Sequence, residues 1–224
     1  MIYYYKEVSY KITTREKVRR TSIMKNEQHK EAVNSLVRHI RDADAIVVGA
    51  ASGMSAAAGF CHYYEHDKDF IDNLGEFEKK YGYRNSFDGF YYRYRTSEER
   101  WAFIARNLCM ILDAEMGQPY YDLHEILKDE NYYILTTNQD TQFTRVFPEE
   151  KISAIQGDWR YFQCSRRCHD ELYSSVDTLQ KLNKSIDENL RVPKNMIPRC
   201  PKWNHGFGHG HFWKVKNIVK NTIN

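Results

Sequence analysis

The sequence predicts an α/β protein, a parallel doubly wound sheet that carries a small metal-held module. Three observations point there. Short β-rich runs at 45–49, 132–136 and 151–155 alternate with segments of helical periodicity, the order that builds parallel sheets. Each run ends in a cluster of small or polar residues. After Gln156 the texture changes to Cys, Arg, His and Asn, with few periodic apolar residues.

Length and composition fit that class. The 224 residues suit one large domain or one domain with a small insertion, and can bury a core without staples. A hydrophobic share of 42% beside 28% charge rules out disorder throughout. Thirty-three Lys and Arg against 30 Asp and Glu leave +3, too weak to argue for nucleic acid or an anionic membrane surface. The most apolar stretch, 43–60, is a Gly/Ala/Ser mixture, short of the ~20 apolar residues that span a bilayer. The first seven residues hold no apolar signal core, and five cysteines are an odd count. A cytoplasmic protein with free thiols or a metal site is the expectation, without a membrane anchor.

In chain order, 1–27 is a basic arm expected to be poorly ordered, and Met24 is a candidate translation start. A helix is expected over 28–41, where Ala32, Val33, Leu36, Val37 and Ile40 repeat at helical spacing. The run 45–49 reads as a buried parallel strand. Residues 61–96 are aromatic and charged without a clean period, so loops and short helices are expected. A helix over 97–115 places Trp101, Ile104, Ala105, Leu108 and Leu112 on one face. Another, over 120–129, is expected to bury Leu123, Ile126 and Leu127. No internal repeat is visible.

Four segments could carry chemistry. Gly49-Ala50-Ala51-Ser52-Gly53-Met54-Ser55, after a strand, lets backbone N–H groups approach a phosphate, although a closely packed strand–turn–helix fits it about as well. Thr136-Thr137-Asn138-Gln139-Asp140 stands at a strand's carboxyl end, where open α/β sheets bind ligands. A capped turn is its plainer explanation. Gln156-Gly157-Asp158 follows the third strand and alone reads as a turn. Cys164 and Cys168, with Cys200 thirty-two residues later, suit tetrahedral zinc, which wants four ligands. Trp203 stands where a fourth cysteine would complete C-P-x-C, and His205, His209 and His211 are candidate replacements. Cys61 and Cys109 read as structural thiols.

Together and in this order, over about residues 28–203, these pieces resemble the sirtuin family. That family joins a Gly-Ala-x phosphate loop, a Thr-Gln-Asn-x-Asp segment and a His-Gly segment to a four-cysteine zinc module inserted in a Rossmann-like domain. The departures are a loop two residues longer, no Pro-Asp-Phe-Arg, Thr137 for the usual Gln, and Gln156 for the catalytic His. They are similar to class M sirtuins, often encoded beside macrodomain proteins. The resemblance implies NAD as co-substrate, structural zinc, and ADP-ribose transfer to a protein acceptor, notably a lipoylated carrier related to the glycine-cleavage H protein. It implies phosphate contacts from Gly49, Ala50, Ala51 and Gly53, with Ser55 at the helix start. Asn138 and Asp140 would position the nicotinamide ribose and carboxamide, Gln156 would hold the ribose, and Cys164, Cys168 and Cys200 would hold zinc. It further implies a Rossmann-like domain over 28–160, a zinc module over 161–205 and an atypical tail over 206–224.

A glutamine has no pKa near the working pH and cannot act as the general base of a deacylase. Transfer asks mainly for nicotinamide departure and support of an oxocarbenium-like centre. Deacylation and a silent NAD- or zinc-binding module are the competing readings; a nucleic-acid-binding zinc module is disfavoured. The tail after Trp203 resembles none of the strands with which sirtuins close their large domain. Adding one pyrimidine to the Trp203 codon would restore a cysteine at that position, so the expectation is a one-base deletion that truncated an ordinary family member, leaving those strands missing.

Overall fold

The computed structural model describes residues 15–202 and 204. The chain divides into two units, one ending at Ile46 and one beginning at Val47. Among its described residues, the first holds helix α1 (Arg15–Asp42) and the chain up to the first residue of the following strand. Its helix was expected only from residue 28, after a frayed arm. Residues 15–27 hold neither Gly nor Pro, and extending an existing helix costs far less than nucleating one, so it runs back to Arg15. Val33, Leu36 and Val37 of the predicted stripe are exposed among the described residues. Trp203, His205, His209, His211 and the tail lie outside those residues, as do residues 1–14 and the Met24 side chain.

The second unit is built around a sheet of order β1-β2-β3. Strand β1 (Ile46–Ala50), β2 (Tyr132–Thr136) and β3 (Ile152–Ala154) lie where the sequence predicts them. β2 and β3 are parallel, with Ile134 opposite Ile152 and Thr136 opposite Ala154. Burial alternates along β2: Tyr132, Ile134 and Thr136 face inward while Leu135 is exposed. The expectation of a buried β1 fails, since Val47 is 67% exposed. β1 is an edge of the described sheet, and its β-branched run fits a pleated surface whether or not both faces are covered.

A short helix α2 (Ser52–Ala57) follows β1. In the aromatic stretch expected to hold only short helices, α3 (Lys68–Tyr81) is a full 14 residues. Phe70, Leu74 and Phe77 form its buried stripe, Asp67 accepts from the Phe70 N–H at 2.8 Å, and Gly82 ends it at φ +83°. Those i, i+4, i+7 positions were legible but hidden among exposed aromatics. Next come α4 (Ser86–Tyr91), capped by Asn85, and α5 (Ser97–Asp113), capped by Thr96. The far end of α5 is closed by Arg145, which donates to the carbonyls of Leu112 and Ala114. In α6 (Gln118–Leu127), Leu127 is buried as expected, but Ile126 is 50% exposed. Tyr120 and Leu127, seven residues apart, face inward, and the helical turn of about 100° per residue carries Ile126 out.

Beyond β2 lies the single turn α7 (Phe143–Val146). The cysteine-bearing region contains a small antiparallel pair, β4 (Tyr161–Phe162) and β5 (Tyr173–Ser174), and a helix the sequence reading missed, α8 (Val176–Lys184). Leu179 and Leu182 of α8 are fully buried in the cluster that centres on α5. Val176, Leu179 and Leu182 recur at three-residue steps, a signal overshadowed by the polar texture around them.

The core explains why α5 is buried nearly all round. Trp101, Phe103, Ile104 and Leu108 pack in one cluster with Phe70, Leu74 and Phe77 of α3, with Leu179 and Leu182 of α8, and with Cys164 and Cys200. The cysteine region therefore shares a core with α3 and α5. Four of the 17 tyrosines gather here: Tyr81, Tyr83, Tyr92 and Tyr94 pack ring against ring, and Tyr83 and Phe103 meet at 5.6 Å. Because α8 adds two fully buried leucines to this core, Leu179→Ala is expected to cost about 2–5 kcal/mol, read as a lower urea midpoint at unchanged slope.

Candidate functional site

Three predicted segments meet at the carboxyl ends of the strands. They line a cavity of about 820 Å³ with Ala51, Gly53 and Ser55 from the first, Asn138 and Asp140 from the second, and Gln156 from the third. Gly49 and Ala50 do not line it. Both belong to β1, where the Ala50 carbonyl accepts from the Thr137 N–H at 3.1 Å. Ser55, expected at the helix start, is the fourth residue of α2.

Close packing does not account for the glycine loop. A Cβ added at Gly53 would meet no described atom within 4 Å, and its φ is not positive. Neither crowding nor backbone strain requires glycine there, and the space it leaves is open. Gly117 is the opposite case: a Cβ there would come within 2.6 Å of Ala58 backbone atoms, so the start of α6 presses on the end of α2.

Asp140 is the hub of the cavity. Its Oδ2 accepts from Ser55 Oγ at 2.6 Å and from the Tyr120 hydroxyl at 2.9 Å, and its Oδ1 accepts from the Gln142 N–H at 3.1 Å. The capped turn is real, but the two long-range hydroxyls exceed what a turn needs. Thr141 beside it sits at φ +63°, an uncommon conformation for a β-branched residue and one that collects at functional sites. Burial and the neighbouring Asp140 charge push the Tyr120 hydroxyl pKa well up, so it stays a donor. Asn138 donates from Nδ2 to the Ala51 carbonyl at 2.9 Å, tying two strand ends together.

Gln156 is joined to the second segment through its own carbonyl, which accepts from Gln139 Nε2 at 2.6 Å. Gly157 takes the turn, at φ +97°. Asp158 and Glu149 bind Arg160 and hold the following backbone. An aromatic wall that the sequence reading missed completes the cavity. Trp159 stacks on Phe90 at 5.5 Å and 16°, with Phe60 and Phe87 beside them. His62 also lines the cavity, 4% exposed, and desolvation lowers its pKa. Aromatic residues without a period gave no local signal for any of these; only the fold gathers them.

The three metal candidates also come together. The sulfurs of Cys164, Cys168 and Cys200 lie within 4.8 Å of one another, Cys168 being 3.2 Å from Cys164 and 3.5 Å from Cys200. None forms a disulfide. A tight turn, with Arg167 at φ +50° and its N–H bonded to the Cys164 carbonyl, brings the first pair together. Burial and the adjoining thiols push the Cys168 thiol up to about 12, and the three sulfurs crowd a space of the size that thiolates around one cation would fill. His169 Nε2 stands 3.2 Å from Cys200 Sγ and is a partner the sequence reading missed. Its Nδ1 accepts from the Glu171 N–H, which assigns the proton to Nε2 and makes it a donor to that sulfur. Cys61 and Cys109 take no part, and burial pushes Cys109 up to about 11.

Comparison with solved structures decides the fold. A mutant Sir2 homologue solved as its ADP-ribose complex superposes with a TM-score of 0.50 at 14% identity, over 83% of this chain and 65% of that one. The fold is sirtuin-like. In sequence, the chain is 34% identical over 183 residues to a "Protein ADP-ribosyltransferase" of Staphylococcus aureus (strain Mu50 / ATCC 700699), covering 81% of this chain and 56% of the relative. It is 28% identical over 174 residues to a "Probable bifunctional ADP-ribose hydrolase/ADP-ribosyltransferase" of Fusarium oxysporum f. sp. cubense, covering 74% of this chain and 29% of that one. The chain thus spans little more than half the length of the first relative and under a third of the second. No protein-family model matches it. No helix among the described residues is long and apolar enough to cross a membrane.

In this cavity Asp140 serves three donors, so its removal separates geometry from charge. Asp140→Ala leaves two hydroxyls and an N–H without their acceptor and is expected to destabilise the fold by about 1–3 kcal/mol. Asp140→Asn keeps an acceptor and should cost less; urea unfolding of both variants makes the comparison.

Proposed function

We propose that this chain is an NAD-dependent protein mono-ADP-ribosyltransferase of the sirtuin type, acting on a protein acceptor that by resemblance is a lipoylated carrier. The observation that carries the reading is the convergence of Gly53, Asn138, Asp140 and Gln156 on one cavity, in a chain 34% identical to a protein named for that activity. Ala51 and Gly53 offer backbone N–H groups to the pyrophosphate. Gly49 and Ala50 act one step back, by setting the height of the strand. Asp140 is held by Ser55 and Tyr120 and Asn138 by the Ala51 carbonyl, and together they keep the nicotinamide half of the ligand in register.

Gln156 is the residue that sets transfer against deacylation. Its side chain can accept and donate hydrogen bonds but cannot take a proton near neutral pH. It can orient the ribose while the positive charge that develops as nicotinamide leaves is supported by nearby dipoles and the Asp140 carboxylate. NAD supplies the reactive glycosidic bond when bound; the residues of this chain orient it and exclude water. Zinc held by Cys164, Cys168 and Cys200 supports the turn that carries them and takes no part in the reaction.

The deciding experiment incubates the chain with labelled NAD and a carrier protein, with and without its lipoyl group. Label on the lipoylated carrier, lost by at least about tenfold in Asn138→Ala, is the expected result; removing one preorganised electrostatic partner commonly costs about 10²–10³. O-acetyl-ADP-ribose formed from an acetyl-lysine peptide, with no label on protein, would favour the deacylase reading. Calorimetry that finds no NAD binding by the folded chain would favour the silent module. Separately, the purified chain should carry close to one zinc by elemental analysis, and Cys168→Ser should lower that content while reducing thermal stability.

A further inference from the structure

Away from the three sirtuin segments, the loop 61–67 and the first turn of α3 bring together one imidazole and two carboxylates. A ring nitrogen of His62 and a carboxylate oxygen from each of Asp67 and Asp69 lie within 4.8 Å of one another. His62 is 4% exposed, and its Nδ1 has no hydrogen-bond partner. A buried ring with an orphaned nitrogen, set beside two carboxylates, calls for a ligand.

The surroundings do not neutralise the pair. Lys68, between the two aspartates, is engaged with Asp72, and His66 and Arg84 are engaged with Glu78. Asp67 uses only Oδ1 to cap Phe70, which leaves its second oxygen for another partner. The imidazole is held in place by its own backbone. The His62 carbonyl accepts from the Ser86 N–H and the Tyr63 carbonyl from the Phe87 N–H, both at 3.0 Å.

We propose that His62, Asp67 and Asp69 form a second metal site, distinct from the cysteine cluster, that takes a divalent transition cation of the Mn²⁺-to-Zn²⁺ class. One nitrogen and two carboxylates make a mixed donor set: the imidazole disfavours Ca²⁺ and Mg²⁺, and the absence of thiolate disfavours the softest ions. Three protein ligands leave coordination positions open. Because His62 also lines the cavity, the bound ion stands at its rim, where water or an anionic oxygen of a ligand can complete the shell.

Mn²⁺ is the probe, since the thiolate cluster, supplied with zinc beforehand, holds that ion by preference. The full chain is titrated with Mn²⁺ and the free ion followed by electron paramagnetic resonance. One Mn²⁺ bound per chain is expected. Asp69→Asn should weaken binding by at least about tenfold, since even outer-shell changes at metal sites cost about 10–100-fold. Asp67→Asn/Asp69→Asn should abolish it; asparagine at 67 can still cap α3, so the fold is retained, as circular dichroism will check. Cys164→Ser should leave Mn²⁺ binding unchanged. No Mn²⁺ retained at millimolar concentration, or equal retention by the double variant, overturns the site. Mn²⁺ should also raise the thermal midpoint of the parent chain but not of Asp69→Asn.

Discussion

One carboxylate organises the candidate site. Asp140 receives Ser55 from the segment after β1, Tyr120 from α6, and the Gln142 N–H from its own turn, so three stretches far apart in sequence are joined at a single group. Around it the strand ends are stitched by Asn138 to Ala51 and by Gln139 to Gln156. Each bond alone contributes on the order of 1 kcal/mol, but each also fixes a side chain that faces the cavity. Polar groups that would be costly if left unpaired at strand ends are satisfied by one another, and the same bonds aim the remaining atoms at a ligand. The left-handed Thr141 fits this picture, because a conformation costing about 1–3 kcal/mol persists only where its neighbours over-determine it.

The second organising element is α5. It is buried on nearly every side, with α3 and α8 against it and the cysteine cluster in the same core. Through Phe103 it reaches Phe90, which stacks on Trp159 in the cavity wall. The cysteines and the cavity are therefore two ends of one packed body. Close packing means that a core change can reach the aromatic wall, because interiors transmit displacement with little give.

How much could be read from the chain depends on how local each signal is. The strands at 46–50, 132–136 and 152–154 are written in β-branched and aromatic runs, and α5 in a long periodic face, so both were legible. Ile126 and Val47 misled, because an apolar residue on a correctly predicted element is buried only if something covers it. α8 and α3 were missed for the opposite reason: their inward stripes, Leu179 and Leu182 in one and Phe70, Leu74 and Phe77 in the other, are real, but short beside the charged and aromatic residues around them.

By itself the sequence determined the α/β class, the order of the three polar segments and the pairing of two cysteines on one turn. These follow from periodicity and spacing, which act over a few residues. Tertiary structure alone decided that Gly53 borders open space while Gly49 does not line the cavity, and that Tyr120 and Ser55 share one carboxylate. It also decided that His62 lies buried beside Asp67 and Asp69 and that His169 stands against Cys200. Most of these facts depend on distances between residues far apart in the chain, 85 positions for Ser55 and Asp140, and no local pattern encodes a distance of that kind; the His62 cluster is local in sequence, but the burial of its ring is not. They exist only once the strands are paired and their ends brought level.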